Sequence, residues 1–113
     1  RIDPATGAST LIDTDDAELT AGDGLELVDQ TLYVMRNRLG PSIVGEIVAV
    51  ELDDELTTGS VIGTVSSDDW DVSTTVAALG DDLWSVNARF GTDATPDTEY
   101  WMSRVDAPAG TES

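Results

Sequence analysis

Two stretches of this chain repeat each other 51 residues apart. "GLELVDQTLYVMRNRLG" (24–40) matches "TVAALGDDLWSVNARFG" (75–91): a short apolar strand, an acidic turn, then a Leu-aromatic pair, Leu32-Tyr33 against Leu83-Trp84. Both end near Asn, Arg and Gly. A second motif recurs out of phase with the first. "RIDPATG" (1–7), "ELDDELTTG" (51–59) and "RVD" (104–106) each end a strand with an apolar residue and Asp, at Asp3, Asp53 and Asp106. Such a period constrains a chain more than composition does, because each repeat is one supersecondary unit that cannot bury its own face.

The units are made of strands. The apolar runs are short, alternate with polar residues, favour Val, Ile, Thr and Leu, and are punctuated by Gly, Asp and Thr. Strands are expected at Thr10–Asp13, Leu25–Val28, Thr31–Asn37, Gly45–Leu52, Ser60–Val65, Thr75–Leu79, Leu83–Asn87 and Tyr100–Val105. "VDQT" (28–31) and "LGDD" (79–82) read as hairpin turns. An all-β chain with four strands per period of about 50 residues fits propeller blades. The expected layout is the end of one blade at 1–20, a full blade at 21–66, a last blade lacking one strand at 67–106, and a polar, frayed tail at 107–113. The missing strand is then expected before Arg1. The alternative is a small antiparallel sandwich whose repetition is accidental.

Charge narrows the partners. The 113 residues carry 23 Asp and Glu against 5 Arg, with no Lys and no His, for a formal charge of −18. Phosphate recognition needs a basic footprint, which excludes nucleic acid and disfavours an anionic membrane. The acidity fits a protein adapted to high salt, where repulsion is screened; an acidic secreted protein is the competing reading, and an extracellular location is slightly favoured. Without Cys or His there is no disulfide, no Ser–His or Cys–His dyad and no ordinary zinc site.

Several segments resemble the senescence marker protein/gluconolactonase/luciferin-regenerating family of six-bladed β-propellers. "GDGLELVDQTLYV" is similar to that family's "P-D-G-hydrophobic-x-x-D-x-x-G-x-L-W/Y-V" segment, with Gly22 in place of the Pro. "RIDPATG" is similar to its "R-L-D-P-x-T-G" strand ends, and "STTVAALGDDLWSVNARFG" to its last blade. The resemblance implies a partial six-bladed propeller that hydrolyses a lactone or small ester with one divalent cation, Ca²⁺ or else Mg²⁺, Mn²⁺ or Zn²⁺, in a central channel. It makes Asp23 both metal ligand and base, with the remaining ligands outside this chain. A fold alone does not fix chemistry, so a non-catalytic propeller that binds a ligand or protein, or serves as an exported structural module, stands beside it. The partners would be N-terminal blades or other β-rich chains.

On the residues themselves Asp23 has two readings. It could hold a hard cation through oxygen and take a proton. It could instead belong to a turn in which Gly24 supplies positive φ. The Asp-Gly pair is not repeated at the corresponding Thr74-Thr75, which favours the first reading. Thr74 and Thr75 are weak substrate candidates, more often satisfying backbone groups at a strand start. Arg36, Arg38, Arg89, Asn37 and Asn87 gather at the ends of second strands. Arg89 could grip a substrate carboxylate, though in so acidic a chain the expected role of these arginines is neutralising Asp and Glu. "DTDD" (13–16), "DDEL" (53–56) and "SDDWD" (67–71) do not fit an EF-hand and read as solvated loops. Trp70, Trp84, Trp101, Tyr33, Tyr100 and Phe90 are expected to pack in the core.

Overall fold

The computed structural model describes residues 1–37 and 45–108; Arg38 and the tail from 109 onward lie outside the described residues. Seven strands form: β1 (Gly22–Val28), β2 (Thr31–Asn37), β3 (Gly45–Leu52), β4 (Gly59–Val65), β5 (Ser73–Leu79), β6 (Asp82–Asn87) and β7 (Met102–Asp106). They make two antiparallel sheets, β1-β2-β3-β4 and β5-β6-β7. The chain is all-β, as the alternation requires.

The propeller expectation is overturned. The two sheets are small, open and uncurled, of four and three strands, without the curved arrangement of propeller blades. The resemblance to the six-bladed gluconolactonase-like family fails with it. What repeats is a local unit. The hairpins β1–β2 and β5–β6 each close on two residues, Val28 pairing with Thr31 and Leu79 with Asp82. In both, the first turn residue has positive φ, Asp29 at 53° and Gly80 at 61°, which suits the twist of paired strands. A sequence period therefore reports a repeated meander and leaves its global arrangement open.

The Asp motif repeats for a local reason too. The Asp3 amide donates to Ala8 O and the Asp53 amide to Thr58 O, at 2.8 and 3.0 Å. In each turn the carboxylate also accepts main-chain amides. Asp3 takes Ala5 N at 2.9 Å, and Asp53 takes Thr57 N at 2.7 Å and Thr58 N at 3.1 Å. These hydrogen bonds fix the turn against the pull of the strands. The strand expected at Thr10–Asp13 is reduced to one bridge, Asp13 to Thr58. Leu11 there is 93 % exposed; alternation marked a face that finds no cover.

Alternation elsewhere sorts residues into two cores. Tyr33, Met35, Ile47 and Ala49 project from one face of the first sheet and meet Val76, Leu83 and Val105 of the second, with Trp70 from the linker among them. The opposite face of the first sheet, with Val34, Val48, Val50 and Leu52, is covered by Ile12 and Leu19 of the N-terminal segment. The molecule is thus three layers: irregular segment, four-stranded sheet, three-stranded sheet. Tyr33 and Trp70 are core residues, as expected, whereas Phe90, Tyr100 and Trp101 are exposed.

Candidate functional site

β1 and β5 meet along a seam, and Asp23 lies on it. Gly22 pairs with Arg36 and Leu25 with Val34, so Asp23 and Gly24 occupy a one-residue bulge. β5 bulges at the corresponding place, between Ser73 and Thr75. The backbone feature therefore recurs although the Asp-Gly pair does not, and the absence of a second Asp-Gly is no mark of function. The expected positive φ at Gly24 is also absent: among the described glycines only Gly7, Gly80 and Gly91 show it. Gly24 is there because Thr75 is too close. A Cβ built on it would stand 2.0 Å from Thr75 Oγ1 and 2.5 Å from Thr75 Cα.

Three side chains and one backbone stretch complete the seam. Asn37 Nδ2 donates to Asp23 Oδ2 at 3.0 Å and to Ser73 O at 3.3 Å, tying the first sheet to the second. Glu26 Oε2 accepts the Ala78 amide at 2.8 Å, a second crossing. Asp23, Asn37 and the Ser73–Thr75 stretch are thus brought together, with Asp23 exposed, Thr74 half-buried and Thr75 exposed. Glu26 was not legible as part of this group, because nothing in its local pattern distinguishes it from a solvent-facing strand residue.

Among the described residues no group of three or more His, Cys, Asp or Glu could hold a metal ion. Asp23 accepts Asn37 Nδ2 through one oxygen, and Arg89 is engaged by Asp71 and the Glu99 carbonyl. With the propeller gone and no ligand cluster beside Asp23, nothing supports metal-dependent lactonase or esterase chemistry.

The remaining candidates hold loops. Arg89 Nε donates to Asp71 Oδ2 at 2.9 Å and Nη1 to Glu99 O at 2.8 Å, and its guanidinium lies 5.2 Å from the Trp101 ring centroid. Asn87 is buried. It accepts the Asp71 amide at 2.9 Å and donates to Trp101 O at 3.1 Å and Ser103 Oγ at 2.9 Å, so its amide is satisfied on both ends. Arg36 donates to Thr20 O at 2.7 Å and pairs with Glu46. Arg104 bridges Asp82 and Asp106 at 2.9 and 3.0 Å. These arginines neutralise carboxylates, as the composition suggests. "SDDWD" differs from the solvated loop expected: Asp69 Oδ2 accepts Ser103 Oγ and its carbonyl accepts Trp101 Nε1 at 3.1 Å.

The most unusual surface is the outer face of the second sheet. The pairings Ala77 to Trp84, Thr75 to Val86 and Val86 to Met102 place Ala77, Leu79, Trp84, Val86 and Met102 on the side away from the core. Leu79 is 70 %, Met102 57 % and Val86 41 % exposed. Ala77, Leu79, Trp84 and Met102 line one shallow apolar depression. A strand such as "LWSV" (83–86), apolar on both parities, is the sequence signal for it, since a sheet with one wet face alternates cleanly. Compared with known protein families, characterised proteins and solved structures, the chain matches none.

Proposed function

We propose that the chain is a protein-binding module whose docking surface is the outer face of the second sheet, and that the face takes another β-sheet. One observation carries this reading. At the 51-residue offset Trp84 and Val86 correspond to Tyr33 and Met35, and those two are among the residues of the first sheet that the second sheet covers. The bare face is therefore the counterpart of one the molecule itself buries under a sheet. Contiguous exposed apolar surface with a central aromatic residue is the usual mark of an interaction site.

The reading is tested by placing a photoreactive residue at Leu79 or at Met102, with Asp54 in an exposed turn as control. Both face positions are expected to cross-link strand segments of one and the same protein. The purified partner should then lose binding to a Leu79→Glu/Met102→Glu variant whose melting is unchanged. Cross-linking from the face no greater than from Asp54, or binding that survives both charges, would refute it.

A further inference from the structure

We infer that the sheet which covers this face is the first sheet of a second copy of the same chain, stacked head to tail; the inference rests on the docking surface proposed above and names its occupant. The molecule carries both halves of the interface it makes internally. Leu25 and Leu27 pair with Val34 and Leu32, on the side of the first sheet turned away from the second. The N-terminal segment reaches Val34, Val48, Val50 and Leu52 there but leaves Leu25 60 % and Leu27 49 % exposed. At the same offset of 51 these two correspond to Val76 and Ala78, which lie in the packing between the sheets. The exposed β1 margin of the first sheet thus corresponds to the covering side of the internal interface, and the bare face of the second sheet to the covered side. Two different exposed apolar surfaces that are complementary to each other make a heterologous contact, which closes into a ring or runs on as a filament.

The edge of the second sheet agrees with this. β7 pairs with β6 as β3 pairs with β2, yet β3 has β4 on its other side. Among the described residues no backbone hydrogen bond reaches β7 from any element but β6. An edge that no second strand pairs with among the described residues, beside an exposed apolar face, is a surface suited to another chain.

Charge sets the condition. A formal charge of −18 on each copy opposes contact when the ionic atmosphere is thin, and the screening length shortens from about 10 Å to about 3 Å between 0.1 M and 1 M salt. Association is therefore expected at molar salt and not in dilute buffer.

The test is light scattering after size exclusion on the 113-residue chain, in about 0.05 M and about 3 M KCl, which move the screening length from well above to below interatomic contact range. The parent is expected to run at its 11.9 kDa monomer mass in dilute buffer and at two or more chains in high salt. Leu79→Glu/Met102→Glu removes one face and Leu25→Glu/Leu27→Glu the other. Each variant alone should stay monomeric in high salt, and an equimolar mixture should give a one-to-one dimer and nothing larger. Circular dichroism melts matching the parent's show that both variants fold. Self-association of the Leu25→Glu/Leu27→Glu variant would mean face-to-face pairing and overturn the inference. A parent monomeric at every salt concentration also overturns it, and if Leu79 and Met102 still cross-link a different protein, the docking surface stands while its occupant changes. A mixture no larger than its components overturns it as well.

Discussion

Adding one methyl group at Gly24 should cost this protein much of its stability. The alanine Cβ would stand 2.0 Å from Thr75 Oγ1, 2.4 Å from Thr75 Cβ and 2.5 Å from Thr75 Cα. A side-chain tip could swing away, but the Cα cannot move without β5, and β5 carries Val76 into the shared core. Overpacking costs roughly 1–3 kcal/mol, and contact with backbone puts this site at the upper end. A domain of about 100 residues loses about 4–8 °C per kcal/mol, so Gly24→Ala should lower the melting temperature by about 12–24 °C. Gly22→Ala is the control: its Cβ meets nothing nearer than Leu19 O at 3.3 Å, and the same methyl group should cost less than about 1 kcal/mol there. Thr75→Gly in the Gly24→Ala background removes two of the three clashes and should recover only part of the loss. Circular dichroism melts of the four proteins decide the matter. A Gly24→Ala melt within about 4 °C of the parent, roughly 1 kcal/mol, would refute close packing of the two sheets at this seam.

Three other outcomes follow from the packing and the charges. Trp70 is 5 % exposed, and its indole N–H is buried with no partner among the described residues. Trp70→Phe, which removes the orphan donor, should therefore cost less than about 1.5 kcal/mol, against about 3–5 kcal/mol for Trp70→Ala; urea unfolding with equal costs for the two would contradict this. The Thr58 and then the Thr57 amides hold the Asp53 carboxyl below its ordinary range. Because the folded value is the lower one, the turn gains stability above the unfolded value of 3.8 and loses it as pH falls through the folded midpoint. The amide shifts of Thr57 and Thr58 should accordingly titrate only below that range, and a midpoint at or above it would be wrong for this geometry. Finally, melting temperature should rise with KCl as repulsion within a −18 chain is screened; a flat profile would remove the basis for salt-dependent association.

Local structure was legible in the sequence wherever it is set by neighbours along the chain. Thr31–Asn37 and Gly45–Leu52 form strands with the bounds read from alternation, and the two hairpin turns fall at 28–31 and 79–82. Global arrangement was not legible, because a repeated meander looks the same whether its sheets curl into a ring or lie open. Asp23 shows the same limit at the scale of one residue. Its Gly24 neighbour looked like a turn residue or part of a site, and the actual cause is Thr75, 51 positions away and in another sheet. The outer face left a trace in "LWSV", but whether an apolar parity is covered depends on a layer that local pattern cannot show. Phe90, Tyr100 and Trp101 were misplaced for that reason: near a sheet margin an aromatic ring can lie over a loop, as Trp101 does with Arg89.

The docking surface can be read directly from Met102, whose thioether on the bare face is an oxidation reporter. Brief hydroxyl-radical footprinting would compare the purified chain in dilute buffer with the protein in the cells that make it, following Met102 and, as an internal standard, buried Met35. Met102 should oxidise readily in the isolated chain and be protected in the cell, with Trp84 protected alongside it and Met35 unreactive in both. Equal oxidation of Met102 in the two settings would mean that the face stays open to water, and would contradict a role in binding another sheet.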